Sequence, residues 1–222
     1  MNIILLLFII LAVTFASASI NMMVSVYGGI DYFLEKAGMT DYIVVVRGDA
    51  SKKQSDEIIQ NAKSITDYKK ENMIFYASDS LKKDGKTYVE FENIGLITSI
   101  SEAKLNYFDR NNEVIKEVPK GHAYVGGILA TSSDVKIGDL VTIDLEGTKL
   151  DITIDGFMKD ALFGSPFMNN PRILLNEEDV KVLEESDTIQ ESYAGSIYYI
   201  STNNSKETQA ELSDIQNPLF SQ

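Results

Sequence analysis

The first thirty residues constrain this chain more than any other feature, because none of them is charged. The first charged residue is Asp31. The stretch from Ile3 to Ile20 (IILLLFIILAVTFASASI) would measure roughly 27 Å as an α-helix. That length is close to the thickness of the hydrocarbon core of a bilayer. The sequence therefore predicts an N-terminal transmembrane helix.

The same helix is predicted to continue beyond the membrane as a stalk. Apolar residues recur at spacings of three and four, which places them on one helical stripe. Gly28-Gly29 weakens this helix without ending it, and Gly38 is the predicted stop. We therefore assign residues 1–38 to a transmembrane helix and stalk, with a stalk face made of Met23, Val26, Ile30 and Phe33.

A cleaved signal peptide is the alternative interpretation of this segment. Ala16-Ser17-Ala18 has the small residues of a cleavage site. However, a signal peptide has a positively charged segment before its apolar run, and no Lys or Arg precedes the run here. We favour the anchor. In the alternative, the chain is a secreted or surface-attached binding protein, and residues 19–38 form an amphipathic helix.

Downstream of the anchor, residues 39–222 mix strand and helix patterns in the manner of an α+β domain. A capping box of Ser51 and Gln54 is predicted to open a helix. Further helices are predicted over Glu177–Glu185, with Asn176 as N-cap, and over Lys206–Ile215. Six strands are predicted in addition to a hairpin that turns at Glu146-Gly147, namely Tyr42–Val46, Asn72–Ala77, Lys86–Glu92, Gly95–Ser101, Glu113–Val118 and Gly195–Thr202.

Two tight hairpins are predicted from their turn residues. Asp84-Gly85 lies between the strands Asn72–Ala77 and Lys86–Glu92, and an Asp-Gly pair readily adopts the positive φ of a hairpin turn. The second hairpin turns at Glu146-Gly147, and apolar and polar residues alternate along both of its arms.

Charge and composition exclude several classes of function. The net charge of −13 belongs entirely to the part after residue 30. An acidic surface repels phosphate backbones, so we predict no nucleic-acid partner. The absence of cysteine excludes disulfides, thiolate metal ligands and a cysteine nucleophile.

No motif predicts a catalytic residue, a cofactor or a metal site. His122 is the one histidine, and no G-x-S-x-G motif accompanies it, so a membrane-tethered hydrolase is a third and weaker hypothesis. Gly85-Lys86-Thr87 imitates the end of a phosphate-binding loop, but Ser80 stands where that loop needs glycine. Asp109 to Glu113 begins like a calcium loop but lacks its turn glycine, which favours a polar turn. We predict that this chain by itself is not an enzyme.

The loop from Met158 to Pro171 is more apolar than ordinary surface loops. We expect its large side chains to be exposed and to contact a partner or substrate. These candidates are Leu162, Phe163, Phe167 and Met168.

The stretch from Ala123 to Val180 combines several local motifs: a short helix with small residues (Gly126, Gly127, Ala130), the VKIGD turn at 135–139, the two alternating strands, and Gly156-Phe157 followed by Phe163-Gly164-Ser165. In this combination the stretch resembles the periplasmic-core region of FtsX/MacB-type ABC permeases, and the last motif most resembles the Gram-positive members. The part before Ala123 fits the first membrane span and the start of the extracytoplasmic domain of the same family.

This resemblance implies a two-lobed body outside the membrane, with lobes of about 39–120 and 121–222. It also implies a permease dimer, a separate cytoplasmic ABC ATPase subunit, and a role in peptide or lipoprotein export or in antimicrobial-peptide resistance. We expect the chain to be part of a longer permease, since it lacks the basic segment before the first span and the later spans. The family supplies no fixed catalytic or ligand residues in this domain.

Overall fold

The structure is a computed structural model that describes residues 3–164, 170–213, 215 and 220–221. The chain divides between Ala37 and Gly38 into a helical unit and a compact folded unit. The mixture of helices and strands confirms the α+β class.

The first unit is one helix, α1, which runs from Ile3 to Ala37 over 35 residues. The helix continues through Gly28-Gly29. Gly38, the first residue after the helix, has a φ of +78°, as expected for a helix-ending glycine. Within the described residues, α1 is the one helix long and apolar enough to cross a membrane, with a mean hydropathy of 2.1. A signal sequence would have the same character, so both interpretations of this segment stay open.

The second unit is built on one mixed sheet. Its helices are α2 (Asp49–Asn61), α3 (Ile128–Thr131), α4 (Glu177–Glu184), α5 (Asp187–Ser192) and α6 (Ser205–Leu212). Its strands are β1 (Tyr42–Arg47), β2 (Ile65–Tyr76), β3 (Leu81–Lys83), β4 (Lys86–Thr87), β5 (Gly95–Ser99), β6 (His122–Gly126), β7 (Leu140–Leu145), β8 (Thr148–Phe157), β9 (Arg172–Leu175), β10 (Ala194–Thr202) and β11 (Phe220–Ser221).

In the described part of the chain these strands form an 11-stranded sheet in the order β11-β1-β10-β2-β5-β9-β6-β8-β7-β3-β4. The pairs β5–β9 and β6–β8 are parallel, and the other pairs are antiparallel. β1 forms because its β-branched residues Val44, Val45 and Val46 are buried on both faces of the sheet.

The two faces of the sheet are covered in different ways, because side chains alternate between them along each strand. On one face, Tyr198 and Ile200 pack with α2 and α6, and Ile173 and Leu175 pack with α3, α4 and α5. On the other face, irregular segments cover the sheet through Leu105, Tyr107, Ile115, Val118 and Phe163.

Both predicted hairpin turns are confirmed, but the first has different arms. Asp84 and Gly85 have φ of +52° and +75° and join β3 to β4. The expected arm Asn72–Ala77 instead belongs to β2, which pairs with β10 and β5 in the interior of the sheet. The reason is burial, since consecutive residues from Met73 to Tyr76 are apolar and a central strand covers both of their faces.

Two further predictions are wrong. α2 begins at Asp49, two residues before the expected capping box, because the chain turns at Gly48 with a φ of +84° and no side chain caps the helix. The segment Glu113–Val118 is not a strand. It forms an isolated bridge at Val114, and its apolar residues Ile115 and Val118 pack onto the face of the sheet.

The predicted strand Lys86–Glu92 is wrong beyond Thr87, because β4 ends there and the following residues form no strand. The remaining predicted elements are confirmed within a few residues. The β7–β8 hairpin turns at Glu146 and Gly147, with φ of +50° and +88°. The Asn176 side chain accepts a hydrogen bond from Glu178 N at the start of α4. The predicted division into two lobes near residue 120 is not confirmed, because β5 and β9, which lie on either side of it in the chain, pair directly.

Candidate functional site: a charge cluster beneath the 158–171 loop

The most unusual feature of the folded unit is Arg172, which is fully buried in β9. Its guanidinium lies on the sheet face that the irregular segments cover. It donates hydrogen bonds to Glu71 Oε1 at 2.9 Å and to Asp160 Oδ2 at 3.2 Å, and both carboxylate side chains are also fully buried. A buried charge is costly unless it is paired, and here one cation faces two anions.

Glu71 connects this ion pair to the segment that follows β5. Its Oε2 accepts a hydrogen bond from the backbone N–H of Lys104 at 2.9 Å, and its Oε1 accepts one from the Tyr107 hydroxyl at 3.3 Å. Arg172 also donates a hydrogen bond to the Tyr107 oxygen. An irregular segment on a sheet has backbone N–H groups without ladder partners, and the Glu71 carboxylate satisfies one of them.

Asp160 connects the ion pair to the loop in the same way. Its Oδ1 accepts hydrogen bonds from the backbone N–H groups of Leu162 at 2.8 Å and Phe163 at 3.2 Å. The Phe163 ring also lies 5.2 Å from the Arg172 guanidinium carbon, within cation–π range. The first turn of the loop is therefore fixed to the sheet by a buried side chain.

The electrostatics keep the cation charged and the phenols neutral. Burial acts to lower the pKa of Arg172, but Tyr107, Asp160 and Glu71 together raise it above its ordinary value. Burial raises the pKa of Tyr107 and of Tyr199, and the nearby Glu71 charge adds to both effects. Because the cluster is closed to solvent, its role is structural: Glu71 and Asp160 hold the backbone at Lys104 and at Leu162 and Phe163 against the sheet.

The predicted contact residues do not form one exposed surface. The expected exposure of Phe163 is wrong, since it is buried against Leu96, Leu105 and Ile197, because the Asp160 turn directs it toward the sheet. Leu162 is half-buried at the edge of the same cluster. Phe167 and Met168 lie outside the described residues.

On the predicted stalk face, the side chains of Met23, Val26 and Ile30 are exposed, and Phe33 is half-buried.

The other sequence candidates have ordinary local roles in the described structure. His122 begins β6, and its Nδ1 lies 3.1 Å from Asp155 Oδ1. Asp109 Oδ1 accepts hydrogen bonds from the backbone N–H groups of Asn111 and Glu113, which closes a polar turn.

Sequence reasoning missed all three charged members of the cluster. The sequence contains one indication that Arg172 is buried, because it is a single charged residue directly before the apolar run Ile173–Leu175. It contains none for Glu71 and Asp160, because Glu71 follows two lysines in a polar run and Asp160 lies in a loop. Their pairing depends on contacts 101 and 12 residues apart in the chain.

Comparison with known proteins identifies no family for this chain. No family model matches it, and no curated protein matches it. Among solved structures, a crystal structure of a "Putative Lipoprotein from Bacillus anthracis" is similar, with a TM-score of 0.42 and 13% sequence identity. The similarity covers 79% of this chain and 90% of that chain.

Proposed function

We propose that this chain is the extracytoplasmic domain of an ABC-transporter permease, anchored in the membrane by α1. In this proposal the domain couples ATP-driven motion of the membrane helices to substrate handling outside the membrane. The ATP is hydrolysed by a separate cytoplasmic subunit, and the permease works as a dimer. The substrate class follows the sequence resemblance, namely exported peptides or lipoproteins, or antimicrobial peptides.

The observation that supports this proposal most is the unbroken length of α1. At 1.5 Å per residue its 35 residues measure about 52 Å, whereas the hydrocarbon core is about 30 Å thick. About fifteen residues therefore extend beyond the hydrocarbon as continuous helix, through Gly28-Gly29. A mechanical connector needs this continuity, and a leader that is cleaved after Ala18 does not.

Intact-mass measurement of the chain from the membrane fraction tests the anchor. We expect residues 1–18 to be retained. A mature chain that begins near Ser19 and is found outside the membrane would instead establish the secreted binding protein.

The permease role is tested by chemical cross-linking in the native host, followed by mass spectrometry. We expect an ABC ATPase among the cross-linked subunits. Replacing Gly29 with proline should break the helix and abolish the export or resistance phenotype, because proline removes a backbone hydrogen bond. The matched Gly29→Ala variant should keep the phenotype, since a Cβ at this position meets nothing within 4 Å. Equal activity of the two variants would refute mechanical coupling through the stalk.

The surface that handles substrate is proposed to include Leu162, with Phe167 and Met168 of the same loop. Phe163 is removed from this surface because it is buried. Leu162→Ser should reduce transporter function while the melting temperature of the chain changes little. Full function in that variant would show that Leu162 is not a contact residue.

A further inference from the structure

A cleft opens on the sheet face that carries the helices. It lies over β2 and β10, between α2 on one side and α4 and α5 on the other, and has a volume of about 330 Å³. This volume is at the lower end of the range of small-molecule sites. Within the described ranges, four polar side chains line the cleft, those of Lys52, Asn72, Glu184 and Gln190.

The floor of the cleft is formed by β2 and β10, which pair with each other. β2 and β10 are interior strands whose backbone groups pair with each other and with their outer neighbours. Asn72 is opposite Ser196 in the register, and the Ser196 hydroxyl donates to Asn72 Oδ1 at 3.2 Å. This hydrogen bond leaves the Nδ2 donors of Asn72 available in the cleft. A ligand with a carbonyl oxygen would match them.

The walls of the cleft carry opposite charges. Glu184 ends α4, and Lys52 belongs to the first turns of α2. Among the described residues, the Glu184 carboxylate and the Gln190 carboxamide form no side-chain hydrogen bond or ion pair. Partial desolvation raises the pKa of Glu184, and the Glu102 charge raises it further, against the effects of Lys181 and Lys52. A cation that bound here would pair with the Glu184 carboxylate and offset the repulsion from Glu102.

We propose that this cleft binds the zwitterionic backbone of a short peptide. The ligand ammonium donates to the Glu184 carboxylate, and Lys52 Nζ donates to the ligand carboxylate. Asn72 and Gln190 hydrogen-bond the peptide group between them.

A polyanion fits this cleft less well, because Glu184 and the net charge of −13 oppose it. The proposal does not depend on the anchor or on an ATPase, so it can fail without affecting the proposed function.

The test is a ¹H–¹⁵N chemical-shift titration of the full chain in detergent micelles with four related dipeptides. These are alanyl-alanine, its N-acetylated form, its C-amidated form, and the form with both ends blocked. We expect alanyl-alanine to bind at millimolar concentration and to shift the amides of Ala194 and Gly195. Each blocked end should weaken binding about five- to ten-fold, as the loss of one hydrogen bond with a net contribution of about 1 kcal/mol implies.

Variants assign each charge to its side chain. Glu184→Gln should weaken the binding of alanyl-alanine about five- to ten-fold but leave the binding of the N-acetylated form nearly unaffected. Lys52→Met should likewise weaken the binding of alanyl-alanine but leave the binding of the C-amidated form nearly unaffected. Glu185→Gln is the matched control, because Glu185 is the next residue along the chain and does not line the cleft.

The proposal is overturned if none of the four dipeptides shifts the cleft amides, or if blocking either end has no effect. The four-peptide series uses the unsubstituted chain, so a variant that fails to fold cannot hide a negative result.

Discussion

Replacing Arg172 with methionine should destabilise the folded unit by about 3–5 kcal/mol, the usual cost of removing one partner of a buried ion pair. Methionine fills most of the space but supplies no charge and no donor. Glu71 and Asp160 would then remain buried, with the side-chain hydrogen bonds at 2.9 Å and 3.2 Å lost. Because a domain of this kind is stable by about 5–15 kcal/mol, the loss would be a large fraction of the total.

The assay is urea unfolding of the full chain in detergent micelles, followed by circular dichroism of the strand signal. At an m-value of about 2 kcal/mol/M, the midpoint should fall by roughly 2 M. Arg110→Met is the matched control, because Arg110 is exposed and stacks on Phe157 at 3.9 Å. The control should cost less than about 1 kcal/mol.

The double variant Glu71→Gln/Arg172→Met separates charge from packing. Glutamine keeps an acceptor for the Lys104 N–H but removes one of the unpaired charges. We therefore expect the double variant to be more stable than the sum of the two single effects predicts, by about 1–3 kcal/mol. A loss below about 1 kcal/mol for Arg172→Met, or strictly additive effects, would refute the view that Arg172 is the counter-ion of this cluster.

Three further predictions use other parts of the folded unit. Burial acts to raise the pKa of Asp139, but hydrogen bonds from Lys83 and Tyr88 lower it on balance. The ionised Asp139 therefore stabilises the fold at a pH above its unfolded pKa of about 3.9, and this contribution is lost as the pH falls through the lower folded pKa. Asp139→Asn should therefore cost about 1 kcal/mol in urea unfolding at pH 7, and the difference from wild type should shrink below about pH 4. Gly195→Ala should lower the melting temperature and cost about 1–3 kcal/mol, because the new Cβ would lie 2.2 Å from a Phe75 ring atom; an unchanged melting temperature would contradict this packing. Phe163→Ala should cost about 3–5 kcal/mol in the same urea assay, whereas a cost near zero would mean that this ring is a surface contact after all.

Much of the local structure could be predicted from the sequence, because the signals were themselves local. Asp84-Gly85 and Glu146-Gly147 specify tight turns through their positive φ. Asn176 caps α4 with its own side chain. The strict alternation along β7 and β8 fixes which residues face the core, and the structure confirms it.

Ser51 and Gln54 match a capping box, but the backbone turn at Gly48 starts the helix earlier. The other errors share a physical cause, which is that burial overrides a local pattern. Glu113–Val118 was predicted to be a strand, yet its apolar residues Ile115 and Val118 cover the sheet from outside. Phe163 was expected to be exposed because it lies in a loop, and the direction of a loop side chain depends on what its backbone binds.

The sequence by itself determined the long N-terminal apolar helix, the acidic character of the folded unit and most of its turns, because charge, hydropathy and backbone preference act over a few neighbouring residues. Only the tertiary structure decided the order of the strands, the buried cluster of Arg172, Glu71 and Asp160, and the cleft between Lys52 and Glu184. These features join residues that are distant in the chain, and their energies arise from desolvation and geometry that exist only after the sheet has formed.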